Sequence, residues 1–115
     1  MPSAKEYQRL LQEKFGGSLV AGHHHQQDGQ ACALELESSY LGLPWTEDPA
    51  CLEIFDVRPL NDMAVAADVR TPAMIGVLVA YHGSLRWSQE RQWAVVTRLV
   101  VFTVQRLIAA CSAKT

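Results

Sequence analysis

SQERQWAVVTRLVVFTVQRLIAACSAK, Ser88 to Lys114, admits two readings that lead to different folds. Its middle, VVTRLVVFTV, is rich in β-branched residues, and so is the earlier run IGVLVAY, Ile75 to Tyr81. As strands the two would pair across the HGSLRW segment that joins them. As helices both need start signals, and both have them. Ser88 is an N-cap residue with Glu90 in the first turn, where the helix dipole favours an acid. Thr71-Pro72 sets a cap before a proline at the first helical position, where its missing N–H does no harm. The C-terminal run also continues into QRLIAACSAK without a turn signal, a length common for helices and rare for strands. The fold class expected is all-α.

The remaining elements agree. Ser3 and Glu6 have capping-box spacing, Tyr7, Leu10, Leu11 and Phe15 follow at helical intervals, and Gly16-Gly17 ends the run. Residues 18–29 read as a loop. Asp28 is the expected cap of a second helix over Gln30–Leu41, with Ala33, Leu36 and Tyr40 inward and Glu35, Glu37, Ser38 and Ser39 on its polar side. Gly42 and Pro44 stop it. Asp48-Pro49 opens a short third helix carrying Cys51, Leu52, Ile54 and Phe55 and ending before Pro59. Residues 61–70 hold a turn, and Gly83 terminates the fourth helix. The expected architecture is one domain, 1–115, a bundle of about five helices with the long C-terminal helix as its spine and helices one, two and four packed round it.

Bulk properties narrow the function classes. The chain has 115 residues, 49% hydrophobic and 19% charged, which is ordinary for a globular protein. A formal net charge of −2 argues against a general nucleic-acid binder. Three cysteines without a CxxC pair suggest neither a disulfide framework nor a zinc ribbon. The N-terminus has no apolar signal region, and the C-terminal helix is broken by Arg98, Gln105 and Arg106, so a membrane span is not expected. The expected location is the cytoplasm, with reduced thiols.

Two places concentrate chemistry. GHHHQQDGQACALE offers the imidazoles of His23, His24 and His25, the Cys32 thiol and the Glu35 and Asp28 carboxylates. Cys32 and Glu35, three apart, share a helix face that a loop histidine could close over, which makes zinc the candidate metal. The competing readings are a solvated loop before a capped helix with Cys32 in the core, and a Cys32–His nucleophile pair at a helix N-terminus. The second place is Arg86, Trp87, Arg91, Trp93 and Arg98, a mix of arginine and tryptophan enriched at protein interfaces; core packing competes for both tryptophans. WTEDPAC, with Glu47, Asp48 and Glu53, reads as helix capping or as a cation or partner site, with Trp45 covering a core edge. Arg58, Asn61, Asp62, Asp68 and Arg70 read as Arg–Asp pairing that pins a loop.

The run from Gly29 to Asp62, G-Q-A-C-A-L-E…Y-L-G-L-P-W-T-E-D-P-A-C…R-P-L-N-D, resembles a group of small uncharacterised bacterial and phage proteins. They share a histidine-bearing loop, a Cys-x-x-Glu helix start, a G-x-P-W-[ST]-x-[DH]-P-x-C turn, a later L-N-D, and a C-terminal apolar helix with tryptophan and arginine, here Trp93 and Arg98. Where the group often has histidine before the proline, this chain has Asp48. The resemblance covers about half the chain and implies an all-α fold and a bacterial or phage origin. It assigns no catalytic residue. The function expected is that of a small interaction or regulatory protein, phage- or mobile-element-borne, acting on a protein partner. An inhibitor of a host defence complex in the manner of anti-CRISPR proteins is one form, and a homo-oligomer stays open. The alternative is a metal-dependent or acid/base enzyme using His23–His25, Cys32 and Glu35.

Overall fold

Helix starts are local chemistry, and three of the six α-helices begin where the sequence dictates. In the computed structural model, which describes residues 2–113, Ser3 Oγ accepts the Glu6 N–H at 3.3 Å and opens α1, Ala4–Lys14. Its end is closed by Phe15 and Gly17, whose N–H groups both return to the Leu11 carbonyl, with Gly16 and Gly17 at positive φ. Asp48 Oδ1 accepts the Ala50 N–H at 3.0 Å and caps α3, Pro49–Leu52, with proline at its start. Ser88 Oγ accepts the Arg91 N–H at 3.2 Å at the start of α6, Gln89–Ala113. Six α-helices are formed and no strand is present among the described residues. Both β-branched runs lie inside helices, α5 (Ala67–Tyr81) and α6.

Three starts differ from expectation. Asp28 does not cap α2. It closes a tight 3₁₀ turn, Gln26–Asp28, by accepting the His25 N–H at 2.9 Å. Helix α2, Ala33–Tyr40, begins instead at Cys32, whose N–H is taken by Glu35 at 2.8 Å, the acid three residues on doing the capping. Thr71-Pro72 does not open α5, which starts at Ala67 and leaves Pro72 inside it. The Thr71 hydroxyl is used elsewhere, accepting the Leu19 N–H at 3.0 Å. Finally α3 stops after four residues and RPLN forms a separate α4, Arg58–Asn61.

The chain divides into a unit running to Leu85 and a unit from Arg86. In the first, α2 is the centre. Every residue from Ala31 to Ser38 is buried, and α2 packs against α1, α3, α4 and α5. Tyr7 and Leu11 of α1, Leu34 and Leu36 of α2, and Met74, Ile75 and Leu78 of α5 fill the core with Leu19, Leu52, Ile54 and Val57. Each such large side chain contributes about 1.5–3 kcal/mol by leaving water. The second unit is α6 with its leading segment. None of the described residues of α6 is buried.

Asn61 ties the first unit together. Its Oδ1 accepts the Ala33 N–H at 3.0 Å, and its Nδ2 donates to the Val20 carbonyl at 3.2 Å. A buried polar group left without a partner costs about 1–3 kcal/mol. Asn61→Ala, which orphans groups on both sides, is expected to destabilise the chain by about 2–4 kcal/mol, read by chemical denaturation; a loss under 0.5 kcal/mol would remove Asn61 from this role.

Candidate functional site

Residues 20–31 form a loop whose base is closed twice. The Val20 N–H donates to the Ala31 carbonyl at 3.0 Å. Asp62 Oδ1 accepts the Gly22 N–H at 2.9 Å and an Asn61 Nδ2–H at 3.0 Å. These two contacts hold the Asp62 carboxyl below its ordinary pKa, the Gly22 bond foremost. Arg70 supports the same corner, donating to the carbonyls of Asn61, Met63 and Val65 at 2.7–3.1 Å. The expected Arg–Asp pinning is thus divided. Arg58 pairs with Asp56 at 2.8 Å, while Arg70 binds backbone and Asp68 stays exposed in the first turn of α5.

The loop's middle is seated on α2 through Glu35, which is fully buried. Glu35 Oε1 accepts the Cys32 N–H at 2.8 Å and lies 2.9 Å from His24 Nδ1, while Oε2 accepts the His24 N–H at 2.7 Å. The His24 carbonyl accepts the Trp45 indole N–H at 2.8 Å. Trp45 therefore covers the core edge as expected, its ring 5.7 Å from that of Phe15, and also pins the histidine loop. His24 is held on three sides.

The structure re-sorts the expected metal set of His23, His24, His25, Cys32 and Glu35. His23 and Glu35 come together, and Glu47 joins them from the WTEDPAC turn. His24 supports Glu35. His25 is exposed, with its ring edge 5.6 Å from that of His23. Cys32 is buried, and its Sγ lies 3.9 Å from Glu47 Oε2. Burial pushes its thiol up to about 12, so it is neutral at pH 7 and unsuited to be the nucleophile of a Cys–His pair. The sequence offers Glu47 in an acidic stretch that reads as helix capping or as a cation or partner site, but its approach to His23 depends on how the turn folds over the loop.

A second polar cluster centres on Glu37. Glu37 is also fully buried: Tyr7 donates its hydroxyl to Glu37 Oε1 at 2.7 Å, and His82 Nδ1 lies 3.1 Å from Oε2. Burial, then the bond to Glu37, raises the Tyr7 pKa and keeps its proton in place. Tyr40 stacks on Tyr7 with centroids 4.4 Å apart. Glu35, Glu37 and Ser38 are thus inside, not on the polar side expected of them. Ser38 donates its hydroxyl to the Glu35 carbonyl one turn back, but His24 stands 11 residues from Glu35, and Tyr7 and His82 stand 30 and 45 from Glu37, beyond any local pattern.

The arginine–tryptophan set is split along the second unit. Arg91 stacks over the Trp87 ring with its guanidinium carbon 3.8 Å from the centroid. Trp87 is half-buried and Arg86 exposed. Trp93, which core packing would have claimed, is 62% exposed, and Arg98 is exposed in mid-helix.

Scans against protein-family models, curated proteins and solved structures found no match.

Two outcomes check this geometry. Under native alkylation followed by mass spectrometry, the exposed Cys51 and Cys111 react, and Cys32 resists until the chain is unfolded; early labelling of Cys32 would contradict its environment. Asp62, with its folded pKa depressed, contributes stability that is present above the unfolded carboxylate range and lost as pH falls through the folded value. Asp62→Asn should therefore flatten the acid limb of the stability–pH curve below about pH 4 and leave its neutral-to-alkaline shape unchanged.

Proposed function

We propose that this protein acts by binding a protein partner through α6. The observation that carries the reading is that a 25-residue helix, apolar enough by composition to cross a membrane, has none of its described residues buried. The first unit has its own core and, among the described residues, no buried side-chain polar atom without a partner. That core is filled by residues of the first unit alone. Trp93, Val96, Val100 and Leu107 are all more than 40% exposed. A patch of that kind marks an interaction surface.

The pattern favours protein over lipid. Arg91, Arg98, Gln105 and Ser112 recur every seventh residue and form one polar stripe, with Trp93, Val100 and Leu107, also seven apart, on the far side. A seven-residue repeat suits packing against other helices. In a bilayer, Arg98 and Arg106 would each cost about 2.5–3.5 kcal/mol near the helix centre. An inhibitor of a host defence complex, of the anti-CRISPR kind, is one form consistent with the resemblance to phage and bacterial proteins. A second copy of the chain is another partner of the right chemistry. A metal-dependent or acid/base activity at the histidine loop is the alternative reading, favoured by the meeting of His23, Glu35 and Glu47.

A photo-crosslinking residue at position 100, activated in the native host, should capture a protein. Capture should fall at least tenfold when Trp93→Ala and Leu107→Glu are added, with denaturation of the first unit unchanged. Flotation of the purified chain with anionic lipid vesicles, with no protein adduct in cells, would overturn the reading in favour of a membrane.

A further inference from the structure

His23 is not held by hydrogen bonding as its neighbour His24 is. Its Nδ1 stands 3.3 Å from Glu47 Oε1 and 3.5 Å from Glu35 Oε2, and the three ligand-type atoms lie within 4.8 Å of one another. An N–H···O bond has its usual length at about 2.9–3.0 Å, so an imidazole donating to either carboxylate would sit closer. Zinc bonds of about 2.0–2.1 Å to nitrogen and oxygen, at tetrahedral angles, separate neighbouring ligand atoms by roughly 3.3–3.4 Å. The spacings around His23 match ligands of one ion better than partners in a hydrogen bond.

Two further observations point to a cation. Glu35 Oε1 takes two donors, the Cys32 N–H and His24 Nδ1, whereas Oε2 takes only the His24 N–H, and Oε2 is the oxygen that faces His23. One lone pair of a fully buried carboxylate is thus directed to the place where His23 and Glu47 converge. The second is electrostatic. Two carboxylates this close, one of them fully buried, repel each other unless positive charge lies between them.

We propose that His23 Nδ1, Glu35 Oε2 and Glu47 Oε1 bind a divalent transition-metal cation of the zinc class, with solvent at the remaining position. One imidazole and two carboxylates suit such an ion. His23 is 56% exposed and Glu47 27%, so the coordination sphere opens outward, the form taken by zinc sites that admit a further ligand. His24 and Cys32 are positioning residues. His24 orients the Glu35 carboxylate from its far side, and the Cys32 thiol lies against the Glu47 oxygen that is not a ligand. His25 and Asp28 belong to the loop's turn and take no part. The site is independent of partner binding by α6.

The test is zinc binding by equilibrium dialysis with elemental analysis, and cobalt(II) substitution followed by visible absorption, on the full chain. The wild type should bind one equivalent of zinc, melt at a higher temperature with it, and give the intense cobalt bands of a four-coordinate site. His23→Ala and Glu47→Gln should each weaken zinc binding at least tenfold and abolish those bands, with far-ultraviolet circular dichroism unchanged because both side chains are partly exposed. His25→Ala should bind like the wild type. Absence of stoichiometric zinc in the wild type overturns the proposal. So does wild-type affinity in Glu47→Gln, or a loss in His25→Ala equal to that in His23→Ala, which would mark a loose histidine tract instead of a built site.

Discussion

Burying a carboxylate is costly unless donors surround it, and α2 buries two. Glu35 and Glu37 lie on the helix that every other helix of the first unit touches, so the placement of the neighbours is partly a delivery of donors. Glu35 draws on its own helix start and on the histidine loop. Glu37 draws on Tyr7 of α1 and on His82 at the end of α5. Apolar packing brings these elements together, but it fixes rotation and register only loosely. The hydrogen bonds to the two acids are directional and select one arrangement.

Legibility in the sequence follows the range of the interaction. Ser3, Asp48 and Ser88 cap their helices as read, because a cap is decided within three residues. Asp28 reads as the cap of α2 because its spacing to the helix resembles a cap, yet its carboxylate serves His25 one turn earlier. Glu35 and Glu37 read as solvent-facing because a glutamate beside serines ordinarily belongs there, and nothing local announces a tyrosine thirty residues upstream. The histidine loop, the Cys-x-x-Glu start, Trp45 and the Asn61-Asp62 pair were each visible as separate features. Their convergence was not. Asn61 holds the base of the loop, Trp45 its middle and Glu35 its floor.

Helix α6 was legible as a helix and not in its surroundings. Composition reports how apolar a segment is, and the same composition serves a helix in a core and one whose cover comes from another molecule. The first unit fills its core with its own residues. Arg91, Arg98, Gln105 and Ser112 recur at intervals of seven, and Trp93, Val100 and Leu107 opposite them are exposed.

The loop over residues 20–31 is fixed at its base and middle, while Gln26 to Gln30 are exposed at its tip. Its two parts are therefore under different constraints. Closing a flexible loop costs only about 0.6 kcal/mol more for each doubling of length, and the tip contributes no side chain to the core. Insertions or deletions between Gln26 and Gln30 can accumulate without moving His23 or His24, so chains descended from a common ancestor would keep the two ends of this loop in register while differing freely in what lies between.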